Sequence, residues 1–352
     1  MRLLISGGGT GGHFFPALEV LRKCKEKNVE TIYVGTARGI EEKFQHLIPG
    51  ERILLETYPF KGVSLINRIK SLVGVWKGVR EIGSSVEGTF KTLIFGGYPS
   101  VPAGLFTALK RRELFVHEQN SVPSTTNRLF ANFSRKVFIT FEYSRRFFKG
   151  KEVIKTGLPV REELLNTKIE KASAKATLGF KAESPLILFM GGSQGARFIN
   201  SLAVDFARKT KAPTILLSGE KDFERVKALS EGVDNLKIYP FRTDMGLIYS
   251  ASEVAVCRAG ASTISELSLF GVPAIFVPYP YAVADHQYYN AKEVEELGGG
   301  FTLRQEETTP DKVIALVDRL IKDIGSYREA ISTFANPTAT ELILNELLEG
   351  GE

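Results

Sequence analysis

Two glycine-rich turns limit what this chain can fold into more than any other feature. Gly7-Gly8-Gly9-Thr10-Gly11-Gly12-His13 and Gly191-Gly192-Ser193-Gln194-Gly195-Ala196 occupy near-equivalent places in the two halves of 352 residues. The first follows the apolar run Leu3-Leu4-Ile5 and precedes Phe14, Leu18 and Leu21 at helical spacing. The second follows Leu186-Ile187-Leu188-Phe189 and precedes Phe198, Leu202 and Phe206. Both read as strand, turn, helix. Glycine there lets backbone N–H groups approach an anion, and the helix N-terminus adds partial positive charge. The same turn also serves tight strand-to-helix packing without a ligand, so each one alone leaves both readings open. Their pairing points to two α/β domains facing a cleft.

The rest of the chain agrees with that division. Short β-rich runs at 31–34, 92–95, 114–116, 137–141, 187–190, 214–217, 236–239, 254–257 and 274–277 alternate with helical segments, the pattern of parallel sheets wrapped by helices. A chain of this length exceeds one ordinary core. Lys155-Thr156-Gly157-Leu158-Pro159-Val160-Arg161 joins Gly and Pro between two such series, which places the junction at 157/158. The charged, Ala-rich stretch 168–181 reads as a surface helix.

Charge is distributed unevenly. Residues 1–160 carry 25 Lys and Arg against 13 Glu and no Asp, a balance of +12, whereas the remainder is −6. The first half is therefore expected to meet an anionic partner. No RNA-binding aromatic signature, zinc finger or dense basic tract argues for nucleic acid. Within 61–80 lie Lys61, Arg68, Lys70, Lys77 and Arg80 with no acid, and Leu65, Ile69, Leu72, Trp76 and Val79 fall on one helical face. Such a helix either lies in a membrane interface or packs on its own sheet, and periodicity does not choose. No run approaches ~18 apolar residues and the chain enters a strand directly, so a cytosolic protein without signal peptide or membrane span is expected. Cys24 and Cys257 stand far apart in no metal-ligand spacing and read as buried, reduced thiols. His46 has no motif support and reads as surface.

Several chemistries lack support. There is no Asp-x-Asp, no His-Glu-x-x-His and no Lys in P-loop spacing, so neither a metal nor a cofactor is expected. Tyr33-Val34-Gly35-Thr36 offers no acidic residue where a nicotinamide fold would place one.

A further series of motifs is more specific. Gly8-Gly9-Thr10-Gly11-Gly12-His13 with Pro16, Gly96-Gly97-Tyr98, His117-Glu118-Gln119-Asn120, Gly157-Leu158-Pro159-Val160-Arg161, Gly191-Gly192-Ser193-Gln194-Gly195-Ala196, Arg258-Ala259-Gly260-Ala261-Ser262-Thr263-Ile264-Ser265-Glu266, and His286-Gln287 with Asn290 resemble, in order and over essentially the whole chain, the bacterial MurG family of peptidoglycan glycosyltransferases. The resemblance implies two Rossmann-like domains of the glycosyltransferase B fold. They would be an acceptor- and membrane-binding domain at 1–157 and a donor domain at 158–335, with a helix at about 336–352 packing back on the first. It implies transfer of N-acetylglucosamine from UDP-N-acetylglucosamine to the muramoyl 4-hydroxyl of lipid I, giving lipid II with inversion, by a peripheral protein on the cytoplasmic face of the bacterial inner membrane. The expected partners are therefore the nucleotide sugar, lipid I and an anionic membrane surface.

Roles follow by motif. Ser193 and its turn face the UDP diphosphate with Arg161 adding a cation, which suits stabilisation of a departing nucleotide without metal. Ala261, Ser262, Thr263, Ile264 and Ser265 line the nucleotide pocket, Glu266 holds the ribose diol, and Gln287 and Asn290 read the sugar hydroxyls. Read from spacing alone, Thr263 and Glu266 form a capping box. Arg242 stands at a uracil position where some members carry an apolar residue, a change that a backbone contact would survive. Thr10, Gly11 and Gly12 approach a phosphate and count, with Asn120, among the donor contacts. His13 accepts the acceptor's proton, with Glu118 the rival base. Leu65, Ile69, Lys70, Leu72, Trp76 and Lys77 meet the membrane. Two competitors remain: a UDP-N-acetylglucosamine 2-epimerase on the same fold, and a non-enzymatic membrane-surface protein.

Overall fold

The computed structural model describes residues 2–57, 65–192 and 195–349, with backbone alone for 65–70. The chain divides into two compact units, residues 1–161 with 337–352, and residues 162–336.

The first unit holds seven strands: β1 (Arg2–Gly7), β2 (Thr31–Thr36), β3 (Glu51–Leu55), β4 (Phe90–Gly96), β5 (Leu114–Glu118), β6 (Lys136–Ile139) and β7 (Glu152–Lys155). All pair in parallel in the order 3-2-1-4-5-6-7. Parallel strands covered on both faces read as continuous apolar runs, and every residue of β4 is buried. Helices α1 (Gly11–Glu26) and α2 (Ile40–Phe44) connect the first three strands. Helices α3 (Leu65–Ser85), α4 (Ser100–Leu109) and α5 (Thr125–Ala131) connect β3 through β6. Phe14, Leu18 and Leu21 of α1 are buried against Leu3, Ile5 and Phe95, whereas Ile82, Ala103 and Phe106 of α3 and α4 bury Leu4, Ile32 and Val34.

The second unit repeats the plan. Strands β8 (Ile187–Met190), β9 (Thr214–Leu217), β10 (Leu236–Tyr239), β11 (Val254–Cys257), β12 (Ala274–Phe276) and β13 (Gly300–Thr302) pair in parallel as 10-9-8-11-12-13. Around them lie α6 (Glu162–Asn166), α7 (Lys171–Thr177), α8 (Arg197–Lys209), α9 (Phe223–Leu229), α10 (Met245–Ala251), α11 (Ala261–Phe270), α12 (His286–Glu296), α13 (Pro310–Lys322) and α14 (Ile324–Ser332). The stretch expected to be a surface helix shortens to α7 and is not wholly superficial. Lys175 is buried, donating to Ala182 O and Ser184 O at 2.9 Å each and pairing with Glu253 at 2.8 Å.

Three strands had no counterpart in the sequence reading: β3, β7 and β13. All are sheet edges, short and rich in Glu, Arg, Lys or Gly, as edges must be to resist pairing with another chain.

The C-terminal helix Ala339–Leu348 belongs to the first unit. Its buried Ile343, Leu344 and Leu347 join the α1 core, each contributing about 1.5–3 kcal/mol. Its carbonyl end is held by Lys91, a buried residue of β4, whose Nζ donates to Leu347 O and Glu349 O at 2.9 Å each and pairs with Glu113 at 3.2 Å. Replacing Lys91 with Met leaves Glu113 with Arg135 but orphans those carbonyls. The expected cost is about 1–3 kcal/mol, read as faster hydrogen exchange across 339–348 with β8 unchanged. Unaltered protection of that helix would show that apolar burial alone seats it.

Candidate active site

In a doubly wound sheet, ligands bind beyond the carboxyl ends of the strands where the order reverses. In the first unit the reversal lies between β1 and β4, whose ends carry the first glycine turn and Gly96-Gly97-Tyr98. In the second it lies between β8 and β11, whose ends carry the second glycine turn and Arg258-Ala259-Gly260. Motifs distant in sequence are thus paired by topology.

The first turn is partly filled by the protein itself. Glu41, fully buried on α2, accepts from Gly9 N at 3.0 and 3.2 Å, from Thr36 N at 3.2 Å and from Tyr33 OH at 3.3 Å. Burial raises its pKa despite these donors. An anion at this turn must therefore use the first N–H groups of α1 at Gly11 and Gly12, which have no acceptor one turn earlier. Thr10, the N-cap, is exposed and makes no side-chain cap. Gly97 is glycine for space as well as conformation: its φ is 79°, and a Cβ would stand 2.7 Å from Gly8 O.

His13, on the first turn of α1, is half-buried and lies 2.7 Å from Gln119. The next motif residue, Glu118, is not placed as a base. It is 0% exposed, and its oxygens accept from Asn120 N at 2.9 Å, Ser124 N at 3.1 Å and Asn127 Nδ2 at 2.8 Å, so it anchors the loop after β5. Burial pushes Glu118 up to about 7 and its neighbour His117 down to about 4. Asn120 is half-buried, with its N–H spent on Glu118.

Ser193 lies outside the described residues. The remainder of its turn is tight: Gly195 has φ 72°, and a Cβ there would come within 2.1 Å of Ser218 O. Asn200 on α8 ties this turn to β9, donating to Ser218 O at 2.9 Å and to Asp222 at 2.8 Å. Hydrogen bonds from Arg225 hold Asp222 down at about 2. Arg161 is half-buried at the end of the first unit.

Helix α11 starts at Ala261 with Gly260 as N-cap, so Thr263 and Glu266 do not form the capping box that their spacing predicts. Glu266 is in the second turn, half-buried, and its Oε2 accepts from the buried Tyr249 OH at 2.8 Å, which orients the carboxylate. Ser262 and Thr263 are partly exposed, whereas Ala261, Ile264 and Ser265 are buried. Ile264 and Ser265 therefore offer a pocket backbone, not side chain. Asn290 departs from its expected role: it is 0% exposed and donates to Ala259 O at 3.1 Å, bracing the loop before α11 instead of reaching a sugar. Gln287 is half-buried, and its Oε1 accepts from Tyr279 N at 2.9 Å, which turns its amide N–H groups outward. Just before α12, Ala284 and Asp285 both hold positive φ, 52° and 53°; the Asp285 to Arg304 pair at 2.8 Å helps pin this strained corner. Arg242 pairs with Asp244 and lies 4.6 Å over the Tyr239 ring, leaving its main chain for any base contact.

On α3, Leu72 and Trp76 are 56% and 55% exposed and Lys77 and Arg80 are exposed, whereas Val79 is buried. The apolar face that the periodicity draws is therefore divided: Val79 seals the sheet, whereas Leu72 and Trp76 show solvent an aromatic among cations. The side chains of Leu65, Ile69 and Lys70 lie outside the described residues. Sequence reasoning missed the exposed apolar residues Val73, Leu109 and Leu129, each off its own helix's main stripe, and Phe133 in the turn after α5. It also missed Tyr249, Glu41 and Gln119, whose roles depend on contacts remote in sequence. Among the described residues no helix is long and apolar enough to cross a membrane. His46 is exposed; Cys24 and Cys257 are buried, and burial pushes the Cys24 thiol up to about 12.

The two neighbours on β5 act oppositely with pH. Glu118, raised in the fold, contributes stability below its ordinary value of 4.5 that is lost as pH rises toward 7. His117, depressed from 6.5, contributes stability at higher pH that is lost as pH falls toward 4. Glu118→Gln removes only the first contribution. Its unfolding free energy relative to wild type should therefore climb from pH 4.5 to 7 by up to about 1.4 kcal/mol per unit, measured by chemical unfolding at stepped pH. A difference independent of pH would mean that Glu118 ionises normally in the fold.

Residues 3–139 match the glycosyltransferase family 28 N-terminal domain, and residues 186–343 match its C-terminal domain. The chain is 47% identical to the UDP-N-acetylglucosamine--N-acetylmuramyl-(pentapeptide) pyrophosphoryl-undecaprenol N-acetylglucosamine transferase of Aquifex aeolicus (strain VF5), covering 98% of this chain and 99% of that one. It is 35% identical to the protein of the same description from Sulfurihydrogenibium sp. (strain YO3AOP1), over 99% and 98%. Among solved structures, Acinetobacter baumannii MurG superposes with a TM-score of 0.77 at 26% identity, over 98% of both chains. The UDP-GlcNAc 2-epimerase of Neisseria meningitidis reaches 0.70 at 13% identity, over 99% and 100%, a likeness of fold alone.

Proposed function

The chain belongs to glycosyltransferase family 28, and on that basis we propose that it transfers N-acetylglucosamine from UDP-N-acetylglucosamine to the muramoyl sugar of lipid I, forming lipid II and UDP. The observation that carries this reading is the 47% identity over 98% of the chain to a transferase of that description, with both glycine turns, Gly96-Gly97-Tyr98 and Arg258-Ala259-Gly260 at the sheet reversals. Labelled UDP-N-acetylglucosamine and lipid I should yield labelled lipid II; folded protein that gives none would remove the assignment. The epimerase reading rests on shared fold only and predicts sugar-nucleotide turnover without acceptor, which the same assay run without lipid I distinguishes.

Donor recognition falls to the second unit. N–H groups at the starts of α8 and α11 face the diphosphate, where developing charge on the leaving UDP strengthens each hydrogen bond. Glu266, oriented by the Tyr249 hydroxyl, offers its carboxylate to the ribose hydroxyls. Gln287 presents amide donors to the sugar, and Arg242 contributes main chain. Asn290 acts beneath the surface by holding the Ala259 loop. Glu266→Ala should raise the donor dissociation constant by the equivalent of about 1–3 kcal/mol in calorimetry, with the fold intact. An unchanged constant would return Glu266 to a purely structural role.

The first unit takes the acceptor. Its basic balance and the α1 N-terminus at Gly11 and Gly12 suit the acceptor's diphosphate, and His13 stands on that same turn as the base for the attacking hydroxyl. Inversion needs one displacement, through a transition state of oxocarbenium character.

Exposed Leu72 and Trp76 beside Lys77 and Arg80 suit the interface of an anionic bilayer, which supports the reading of a peripheral protein on the cytoplasmic membrane face. Trp76→Ser, or Lys70 and Lys77 to Glu, should weaken binding to anionic vesicles, by roughly 1 kcal/mol per basic residue, while sparing turnover of a soluble acceptor. Equal loss of both activities would make the segment core.

A further inference from the structure

Beneath the first glycine turn, three side chains that no sequence spacing brings together form one hydrogen-bonded line. His13 Nδ1 lies 2.7 Å from Gln119 Oε1. Gln119 Nε2 lies 2.8 Å from His117 O and 3.2 Å from His117 Nδ1, and His117 Nε2 lies 3.0 Å from Gly157 O. Both ends of the proton order are set by atoms that can only accept. Gly157 O obliges His117 Nε2 to donate, and His117 O obliges the amide nitrogen of Gln119 to face it. The reversed amide would set two acceptor oxygens 2.8 Å apart with no proton between them. Burial keeps His117 neutral, its pKa near 4, so its Nδ1 retains a lone pair that suits the second N–H of Gln119. The amide oxygen is thereby turned toward His13, where only a donor satisfies it.

We infer that Gln119 is a positioning residue that holds His13 in the tautomer with its proton on Nδ1 and its lone pair on Nε2, the form an imidazole base uses against an attacking alcohol. The catalytic half of this inference rests on the reading of His13 as base. As the acceptor oxygen bonds to the anomeric carbon, its O–H bond breaks and the proton passes to Nε2. The electron pair of the sugar–phosphate bond leaves with UDP. The contact from Nδ1–H to the amide then becomes charge-assisted, so Gln119 also favours the imidazolium.

His117 stands behind Gln119 on β5, and Glu118 turns its carboxyl away onto Asn120, Ser124 and Asn127. Glu41 of α2 is spent on Gly9 N–H and Thr36 N–H, with Tyr98 against Gly9 on the other side. Gly97 after β4 backs the imidazole, where a Cβ would come within 3.2 Å of Cδ2.

Long-range proton–nitrogen correlation spectra of the full chain at about pH 8 read the tautomer without any turnover. The wild type should show the His13 proton on Nδ1, and Gln119→Leu should lose that preference; a wild-type proton on Nε2 overturns the inference. In turnover, Gln119→Leu should lower kcat by roughly ten- to a hundredfold and move the acid limb of its pH profile to lower pH, with donor KM within about twofold. Adding Gln119→Leu to His13→Ala should lower kcat no further than His13→Ala alone. A Gln119→Leu enzyme whose kcat falls with acid limb and tautomer unmoved would overturn the positioning role. Should His13→Ala keep both kcat and the acid limb, the base lies elsewhere and the catalytic half fails, whereas the nitrogen spectra still decide the tautomer by themselves.

Discussion

Everything in this molecule depends on the reversal of strand order in a parallel sheet. Chain connections leave a central strand in opposite directions at β1 and β4, and again at β8 and β11, so no crossover helix covers the carboxyl ends between them. Loops that emerge there are the ones able to bring main-chain N–H groups and helix N-termini to a ligand. Glycine is needed where the reversal crowds backbone against backbone, as at Gly97 against Gly8. One geometric constraint therefore explains why the motifs occur in pairs and why each pair is split by about ninety residues in the first unit and about seventy in the second.

Much of this was legible in the residues. Central strands announce themselves because burial on both faces demands unbroken apolar runs, as in Leu3-Leu4-Ile5 or Ile187-Leu188-Phe189. Three of the four edges do not: β3 and β7 carry charges and β13 is only three residues beginning with Gly, which erases the signal, whereas the edge strand β10 keeps a readable run. The candidate site divides in the same way. Backbone features such as the two turns and the starts of α1, α8 and α11 follow from glycine placement and periodicity. Side-chain roles follow less well. Nothing in His117-Glu118-Gln119-Asn120 says that the glutamate faces inward and the glutamine reaches His13, because strand alternation sets facing and the partners lie on other elements. Asn290 misled for a related reason: an amide on the inner side of α12 looks, in one dimension, like an amide on the outer side.

Two buried carboxyls, Glu41 and Glu118, do comparable work on either side of His13. Each takes main-chain N–H groups of a loop that must hold an irregular shape, and each is raised by desolvation, the cost of placing an acid where water cannot reach. Loop precision around the His13 imidazole is obtained at the expense of stability near neutral pH.

The helix Ala339–Leu348, seated on α1 and capped by Lys91, has a consequence for how the molecule comes into being. Residues 1–161 emerge from the ribosome long before the piece that completes their core, and the whole second unit must be made in between. During that interval the apolar seat around Leu21 and Cys24 has no cover, and a nascent chain halted before residue 337 would present it to chaperones. The first unit is thus the earlier to be synthesised and the later to be finished.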